Sequence, residues 1–188
     1  MRDRAWHTAS RVVRNVPSFA SYPIRVMYLE SIDRASQRVW LTQAYLIPDK
    51  DVIDSLLKAV RRGVDVRVIV PEESNHIEAD WLSRGFYRQL LEGGVRIFLF
   101  QDAMVHAKTA TIDGRWATIG TANLDRLSLA GNYEINVEFT DSAVAQQMET
   151  VFATDLTNCR ELTLREWQSR SFMAKFSETL LRPFRPLL

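Results

Sequence analysis

Apolar positions along the chain alternate between two spacings, which predict helices and strands in turn. From Ile24 to Ala35 they recur on one side of a helical wheel, which predicts a helix with one buried face. The run RVWLTQAYLI (38–47) is densely apolar and aromatic and ends at a proline, which predicts a strand and a turn. The same reasoning predicts, in order, a helix capped by Asp49 or Asp51 and closed by Gly63, a strand over 64–71, a polar loop over 72–80, a helix over 79–94 and a strand over 95–100. Strands alternating with helices imply a largely parallel sheet that is covered on both faces.

The pattern changes after Phe100, where strands follow one another across short turns. Strands are predicted over 106–113, 115–120 and 133–139, with no helix between them. A further helix is predicted from Asp141 to about Asp155. Residues 21–158 are therefore expected to form one α/β domain, with a segment of different character on either side.

The two flanking segments are both basic. Residues 1–20 are predicted to be an arm, because arginines and a proline interrupt any apolar period; the arm is a linker from a preceding half or a disordered start. Residues 159–188 are predicted to form a tail, in which Phe172, Phe176 and Leu180 follow a four-residue step among basic residues. This pattern suits an interfacial helix on an anionic membrane surface. The alternative is a helix docked on its own domain or on a missing half.

Composition narrows the class of protein. Of the 188 residues, 46% are hydrophobic and 25% charged, as in an ordinary globular fold, and the formal net charge of +1 gives no argument for nucleic acid. Cys159 is the only cysteine, which excludes an internal disulfide and a zinc site built from cysteines. No run approaches the roughly 20 apolar residues of a membrane span, and the first residues lack the apolar core of a signal peptide.

Chemistry is concentrated in the stretch VHAKTATIDGRWATIGTAN. Its polar groups recur in the pattern His106-x-Lys108-x4-Asp113-x6-Gly120-Thr121-x-Asn123. Residues two apart on a strand face the same side, so His106 and Lys108 are expected to project together. The hydroxyl, the carboxamide and the backbone N–H groups of the turn that ends at Asn123 can hold an anionic oxygen. The pattern therefore predicts a phosphate site with an imidazole beside it.

The parts of this site predict its reaction. An imidazole acts as a nucleophile when neutral and as an acid when charged. Lys108 and Asn123 would stabilise the extra negative charge of a pentavalent phosphorus transition state. The sequence has no cluster of carboxylates that suits magnesium or calcium. We therefore expect a reaction through a phosphohistidine that needs neither metal nor cofactor.

Two carboxylates are candidates for supporting roles. A nucleophilic histidine needs a partner on its second nitrogen, and Glu134 on the following strand is the best candidate. Asp113 is expected to tie the strand end to a nearby turn; a role as proton carrier is the alternative.

The stretch HAKTATID…GTAN resembles the HKD motif of the phospholipase D superfamily, with Thr121 in place of the more usual serine. The surrounding sequence resembles the second half of bacterial cardiolipin synthases, in IRVMYLESIDRASQRVWLTQAYLIPD, VDVRVIVPEESNH, WLSRGFYRQLLEGGVRIFLFQDAMVHAK and NLDRLSLAGNYEINVEF. The likeness covers about residues 22–155.

The resemblance implies a mixed sheet flanked by helices on both faces, with two HKD halves around one active site. One histidine becomes phosphorylated, and the other protonates the leaving alcohol and activates the incoming one. In cardiolipin synthases donor and acceptor are both phosphatidylglycerol. The resemblance assigns the catalytic and phosphate-binding positions to His106, Lys108, Thr121, Asn123 and Glu134, with Asp113 as the motif aspartate.

This chain has a single motif. Neither His7 nor His76 has the lysine and asparagine of a second one, and His7 is expected to be a plain surface residue. Either two copies pair, or the chain is half of an enzyme, in which case His106 is expected to be the proton carrier. His76 follows a strand in a polar loop, where it either contacts the substrate headgroup or has no role.

Three functions are compared on these grounds. The first is a phosphatidyl-transferring enzyme of the cardiolipin synthase type, peripheral to the cytoplasmic face of a membrane. The second is a homodimeric nuclease, which the single motif favours and the near-neutral charge disfavours. The third is a half without catalysis that completes another chain, against which the intact His-Lys-Asn set argues.

Overall fold

The computed structural model describes residues 9–17, 21–73 and 77–170, with the backbone alone over 77–84. Along the chain the helices are α1 (Pro23–Arg34), α2 (Lys50–Arg61), α3 (Ile77–Glu92), α4 (Ser142–Leu156) and α5 (Leu164–Gln168), and a π-helical turn spans Leu127–Gly131. The strands are β1 (Ser10–Asn15), β2 (Arg38–Gln43), β3 (Leu46–Ile47), β4 (Asp65–Pro71), β5 (Arg96–Phe100), β6 (Lys108–Ile112), β7 (Trp116–Gly120), β8 (Leu124–Asp125), β9 (Glu134–Phe139) and β10 (Cys159–Leu162).

Eight strands form one mixed sheet in the order β1-β9-β7-β6-β2-β4-β5-β10, and β3 pairs with β8 beside it. The strands β2, β4 and β5 are parallel neighbours, as expected of a region where strands alternate with helices. The other pairings of this sheet, among the described residues, are antiparallel. The expected mixed α/β sheet is confirmed, and its parallel part is limited to these three central strands.

Helices cover the sheet on both faces. The main core lies against α1, α2 and α3 and includes Leu41, Val68 and Ile97 from the central strands. On the opposite face α4 packs across the sheet, where Phe152 lies against Ile69 and Phe98. The helix starts agree with their predicted caps: the Asp49 side chain accepts a hydrogen bond from the Val52 N–H at 2.9 Å.

Both flanking segments contribute strands, which the expected boundaries did not include. Ser10–Asn15 lies in the predicted arm but pairs with β9 as an edge strand. The sequence pattern did not predict this strand, because an edge strand buries few side chains. Here Val13 and Asn15 are the buried ones. Cys159–Leu162 pairs with β5, so the sheet continues past residue 158. Residues 1–8 and 171–188, with most of the predicted amphipathic tail, lie outside the described residues.

Candidate active site

The predicted motif residues other than Asp113 gather where four strands end or begin. In the register of the sheet, Gln43 at the end of β2 pairs with Lys108 at the start of β6. Gly120 at the end of β7 pairs with Asn136, two residues into β9. The turn after Gly120 and the segment before Lys108 therefore meet where these strands end. This end of the strands is called the edge of the sheet, as distinct from its edge strands.

His106 and Lys108 come together at this edge, although His106 precedes the strand that was predicted to hold it. The Lys108 Nζ lies 3.0 Å from Nε2 and 3.1 Å from Nδ1 of the His106 ring. The same ammonium donates a hydrogen bond to the His106 carbonyl at 3.1 Å. The Tyr45 ring meets the imidazole edge-on, at 6.2 Å between centroids. The lysine is buried and the histidine is exposed, so the imidazole faces the space open to a substrate.

Burial has an electrostatic consequence for Lys108. Loss of solvent lowers the pKa of its ammonium below 10.5, and the negative charges of Glu134 and Asp125 oppose that shift only in part. A poorly solvated cation gains more from a bound phosphate than an exposed lysine does, because water screens it less. Lys108 is thus suited to hold an anion beside the imidazole.

Glu134 lies at the same edge and contacts the motif turn. Its carboxylate accepts a hydrogen bond from the Thr121 hydroxyl, and that hydroxyl in turn accepts one from the Ile135 N–H at 3.0 Å. The threonine proton is therefore directed at Glu134, and a phosphate oxygen would have to compete for it. The expected hydrogen bond from His106 to Glu134 stays a prediction.

Backbone N–H groups of the turn were also expected to bind the anion, and here the structure differs. The N–H of Thr121 donates to the Ile135 carbonyl at 3.0 Å. The N–H groups of Ala122 and Leu124 donate to the side chains of Asn136 and Gln43. These three donors are engaged inside the protein and are therefore not available to an anion in this arrangement.

Asn123 contributes the carboxamide of the motif turn, which is the turn that follows Gly120. It is partly buried, and its Oδ1 is enclosed without a hydrogen-bond partner in the part of the chain that the structure describes. Its side chain hydrogen-bonds Asp125, whose pKa is raised by burial against the opposing effect of hydrogen bonds from Ser128 and Asn123. The Asp125 carboxylate accepts a 2.6 Å bond from the Ser128 N–H. Asp125 was missed from the sequence, and its spacing of two residues from Asn123 was the available signal.

Asp113 lies at the other end of β6, about 16 Å from Lys108 if each strand residue advances about 3.3 Å. Its two oxygens accept 2.8 Å hydrogen bonds from the backbone N–H groups of Ser36, Gln37 and Arg38 and from the Ser36 hydroxyl. Burial alone would raise the pKa of this carboxyl, but the hydrogen bonds outweigh burial and lower it. This geometry favours the structural role over that of proton carrier.

Replacing Asp113 by alanine is expected to lower the free energy of unfolding by about 2–4 kcal/mol, because four hydrogen bonds to a carboxylate are lost and Asp113 has a left-handed backbone (φ 55°). Asp113→Asn, which keeps one acceptor and tolerates that backbone, should lose less. Urea unfolding measures both. In the wild type the carboxylate stabilises the fold above its unfolded pKa, and this contribution disappears as the pH falls through the lowered folded pKa. A loss of turnover of 100-fold or more in folded Asp113→Asn would instead favour the proton carrier.

Three further sequence predictions concern His76, a membrane span and a metal site. His76 lies outside the described residues, so its contact with a headgroup stays a prediction. Across 9–17, 21–73 and 77–170, no helix has the length and apolar character needed to cross a bilayer. The same residues contain no group of three or more His, Cys, Asp or Glu side chains placed to hold a metal ion.

Comparison with known proteins shows which family the chain resembles. Residues 28–156 match the family model described as "Cardiolipin synthase, PLD-like domain". Cardiolipin synthase A of Proteus mirabilis is 35% identical over 182 residues, which is 97% of this chain and 37% of that protein. A cardiolipin synthase of Clostridium perfringens is 30% identical over 179 residues, which is 95% of this chain and 38% of that protein. The chain thus spans less than two-fifths of the length of these relatives.

Solved structures share the fold. Nuc of Salmonella typhimurium, a phospholipase D family member, superposes with a TM-score of 0.68 at 20% identity, covering 82% of this chain and 97% of that one. The phosphatidylserine synthase of Haemophilus influenzae superposes with a TM-score of 0.73 at 13% identity, covering 95% of this chain and 45% of that one. One protein therefore matches over nearly its whole length, and the other over about half.

Proposed function

Since the chain belongs to the family of cardiolipin synthase, PLD-like domains, we propose that it catalyses metal-independent phosphodiester transfer with His106. The preferred reaction is phosphatidyl transfer between phosphatidylglycerol molecules, with hydrolysis when water is the acceptor. The observation that carries the proposal is the buried Lys108 ammonium within 3.1 Å of both nitrogens of an exposed imidazole. The names of the curated relatives support the lipid substrate.

The proposed reaction has two steps. An unprotonated imidazole nitrogen attacks the phosphorus of phosphatidylglycerol, so that an N–P bond forms and the P–O bond to the free glycerol breaks. The leaving oxygen takes a proton from a second imidazole. That imidazole then removes a proton from the hydroxyl of a second phosphatidylglycerol, whose oxygen displaces the histidine from phosphorus. Lys108 and Asn123 hold the non-bridging oxygens while charge accumulates on them.

Two imidazoles are needed, and the chain carries one motif. We therefore propose a second half, either in cis or as a second copy, that supplies the other histidine. In the first case His106 is the proton carrier and in the second the two roles are interchangeable. The proposed lipid substrate supports a peripheral position at a membrane surface, and we propose the cytoplasmic face as its place.

An apolar strip beside the site supports pairing. On the sheet face that α4 covers in part, Val12, Val137 and Ile119 are neighbours in register across β1, β9 and β7. Val12 is 64% exposed and Ile119 40%, and Ile135, next to Thr121 at the site, is 50% exposed. Side chains of this kind on adjacent strands gain stability when another apolar surface covers them. The strip extends to Ile135, the chain neighbour of Glu134, so it reaches the strand ends that hold the motif, although its side chains lie on the opposite face of the sheet from Lys108 and Asn136.

Ile135→Asp is expected to abolish pairing and to lower turnover by at least about 10-fold, because a carboxylate in an apolar contact loses its solvation. Val26→Asp is the matched control, since Val26 is 49% exposed on α1. Sedimentation measures the mass of each variant, and turnover is measured on the same samples. Turnover and mass of Ile135→Asp that equal those of Val26→Asp would exclude this strip as the pairing surface.

Substrate class is tested with labelled phosphatidylglycerol in vesicles and with labelled DNA, each with and without a chelator. The proposal expects labelled cardiolipin or phosphatidic acid, unchanged by the chelator, and intact DNA. The main alternative is a nuclease acting as a homodimer, which would cleave DNA and leave the lipid unchanged. The remaining alternative, a half without catalysis, would process neither substrate even when paired.

A further inference from the structure

Two buried carboxamides lie beneath the motif turn and belong to no part of the motif. They are Gln43 at the end of β2 and Asn136 in β9, and both side chains have 0% exposure. The two residues are 93 positions apart in the chain, by subtraction of their numbers, and they reach the turn from opposite sides of β6 and β7.

Each carboxamide accepts a hydrogen bond from the backbone of the turn. The Asn136 Oδ1 accepts from the Ala122 N–H at 3.3 Å, and the Gln43 Oε1 accepts from the Leu124 N–H at 3.0 Å. Ala122 and Leu124 are the immediate neighbours of Asn123. The backbone on both sides of the phosphate-binding asparagine is therefore held by side chains from two other strands.

The arrangement also explains the glycine of the motif. A Cβ at Gly120 would lie 2.2 Å from the Asn136 Oδ1 and 2.5 Å from the Ile135 carbonyl oxygen. Only glycine therefore lets Asn136 come this close. Asn136 is itself fixed, because its Nδ2 donates to the Thr118 hydroxyl at 3.1 Å and that hydroxyl donates to the Val137 carbonyl at 2.9 Å. The position of Oδ1 under the turn is thus determined by the sheet.

Gln43 links the turn to the lysine. It is the register partner of Lys108, and cross-strand partners project to the same face of a sheet. A displacement of Gln43 would therefore move the support of Asn123 relative to the Lys108 ammonium. Both groups have to address the same phosphate.

Gln43 is a poor choice for stability alone. The Gln43 Nε2 and the hydroxyl of Tyr28, which is buried beside Gln43 and Asn136, make no hydrogen bond of standard geometry within the described residues. Burial raises the pKa of Tyr28 to about 12, and the two amides moderate that shift. An unsatisfied buried donor costs about 1–3 kcal/mol, and an apolar side chain of similar shape would avoid that cost. A cost in stability at this place fits a role in positioning.

We propose that Gln43 and Asn136 are positioning residues that hold the turn so that Asn123 and Lys108 bind the same phosphate. The proposal rests on the proposed function. It assigns to two residues outside the motif the alignment of the phosphate site, through the backbone N–H groups of Ala122 and Leu124.

The test uses Gln43→Met, which keeps the length of the side chain and removes the acceptor, and Gln43→Glu, which keeps an oxygen at that place. Ser55→Ala is the matched control, because the buried Ser55 on α2 donates a side-chain hydrogen bond to Asp33 on α1, away from the site. Transfer from phosphatidylglycerol, the melting temperature and the hydrogen exchange of the Leu124 amide are measured for each.

Gln43→Met is expected to lower kcat by about 10- to 100-fold with KM changed less than about threefold, because a small misplacement of a binding group affects the transition state most. The Leu124 amide should exchange faster, and the melting temperature should fall no further than in Ser55→Ala. Gln43→Glu should keep the Leu124 amide protected, because a carboxyl oxygen at the same place accepts its hydrogen bond.

Three results would overturn the proposal: an unchanged kcat in Gln43→Met, a loss of activity equal to that of Ser55→Ala, or a Leu124 amide that stays protected. Failure of the proposed function is distinct from these results. It would be a wild-type protein that transfers no phosphatidyl group, and the exchange of the Leu124 amide would still report whether Gln43 holds the turn.

Discussion

Replacing His106 by alanine is expected to lower phosphatidyl transfer by at least about 1,000-fold, whether His106 is the nucleophile or the acid. In the first role the N–P bond has no atom to form on, and in the second the leaving alkoxide has no proton donor. The exposed position of His106 means that the change removes little packing, so the melting temperature should stay within a few degrees of the wild type. Turnover of labelled phosphatidylglycerol and thermal unfolding are measured together.

The matched control is His7→Ala, which removes a histidine outside the motif and should retain full activity. A His106→Ala protein that keeps more than about a tenth of the wild-type turnover would contradict the assignment. Equal losses in both variants would show that the effect is not specific to the motif.

Lys108→Met is expected to have two opposite effects: turnover falls by about 100- to 1,000-fold, while the melting temperature at neutral pH rises. The loss of turnover follows from removing the cation that faces the phosphate. The gain in stability follows from burial, which lowers the pKa of the Lys108 ammonium and so makes the folded state bind its proton less tightly than the unfolded state does.

The pH dependence gives the sign of this effect. Below the lowered folded pKa, the charged ammonium costs the wild type stability relative to the unfolded chain. That cost declines as the pH rises through the folded pKa towards the ordinary value of 10.5. The difference in melting temperature between Lys108→Met and the wild type should therefore narrow at alkaline pH. The control is Lys58→Met, at an exposed lysine of α2, which should change neither stability nor turnover. A Lys108→Met protein that is both active and less stable than the wild type would refute this view of the site.

The spacing of the motif was enough to predict that His106 and Lys108 meet, because residues two apart remain close even where the strand begins only at Lys108. The backbone contacts of Asp113 were also predictable, since an aspartate just past a strand commonly binds nearby backbone N–H groups. Local patterns determine features of this kind.

Long-range partners were not predictable from those patterns. The hydrogen bond from Thr121 to Glu134 depends on the register between β7 and β9, and sequence spacing does not fix a register. Gln43 is a polar residue in a densely apolar strand, and only the sheet shows that its side chain accepts a hydrogen bond from the Leu124 N–H. The edge strand Ser10–Asn15 was missed because its stability comes from pairing with β9 rather than from an apolar pattern of its own.

The central claim is that His106, Lys108 and Asn123 surround one phosphate-binding space. Its most direct test is a titration with inorganic orthovanadate, which adopts the pentavalent geometry of the transition state, followed through the imidazole resonances by two-dimensional NMR. The account predicts that the His106 signals shift in a saturable way and that the shift is lost in Lys108→Met and Asn123→Leu. A wild-type His106 signal that does not respond to vanadate, or a response in both variants equal to that of the wild type, would contradict it.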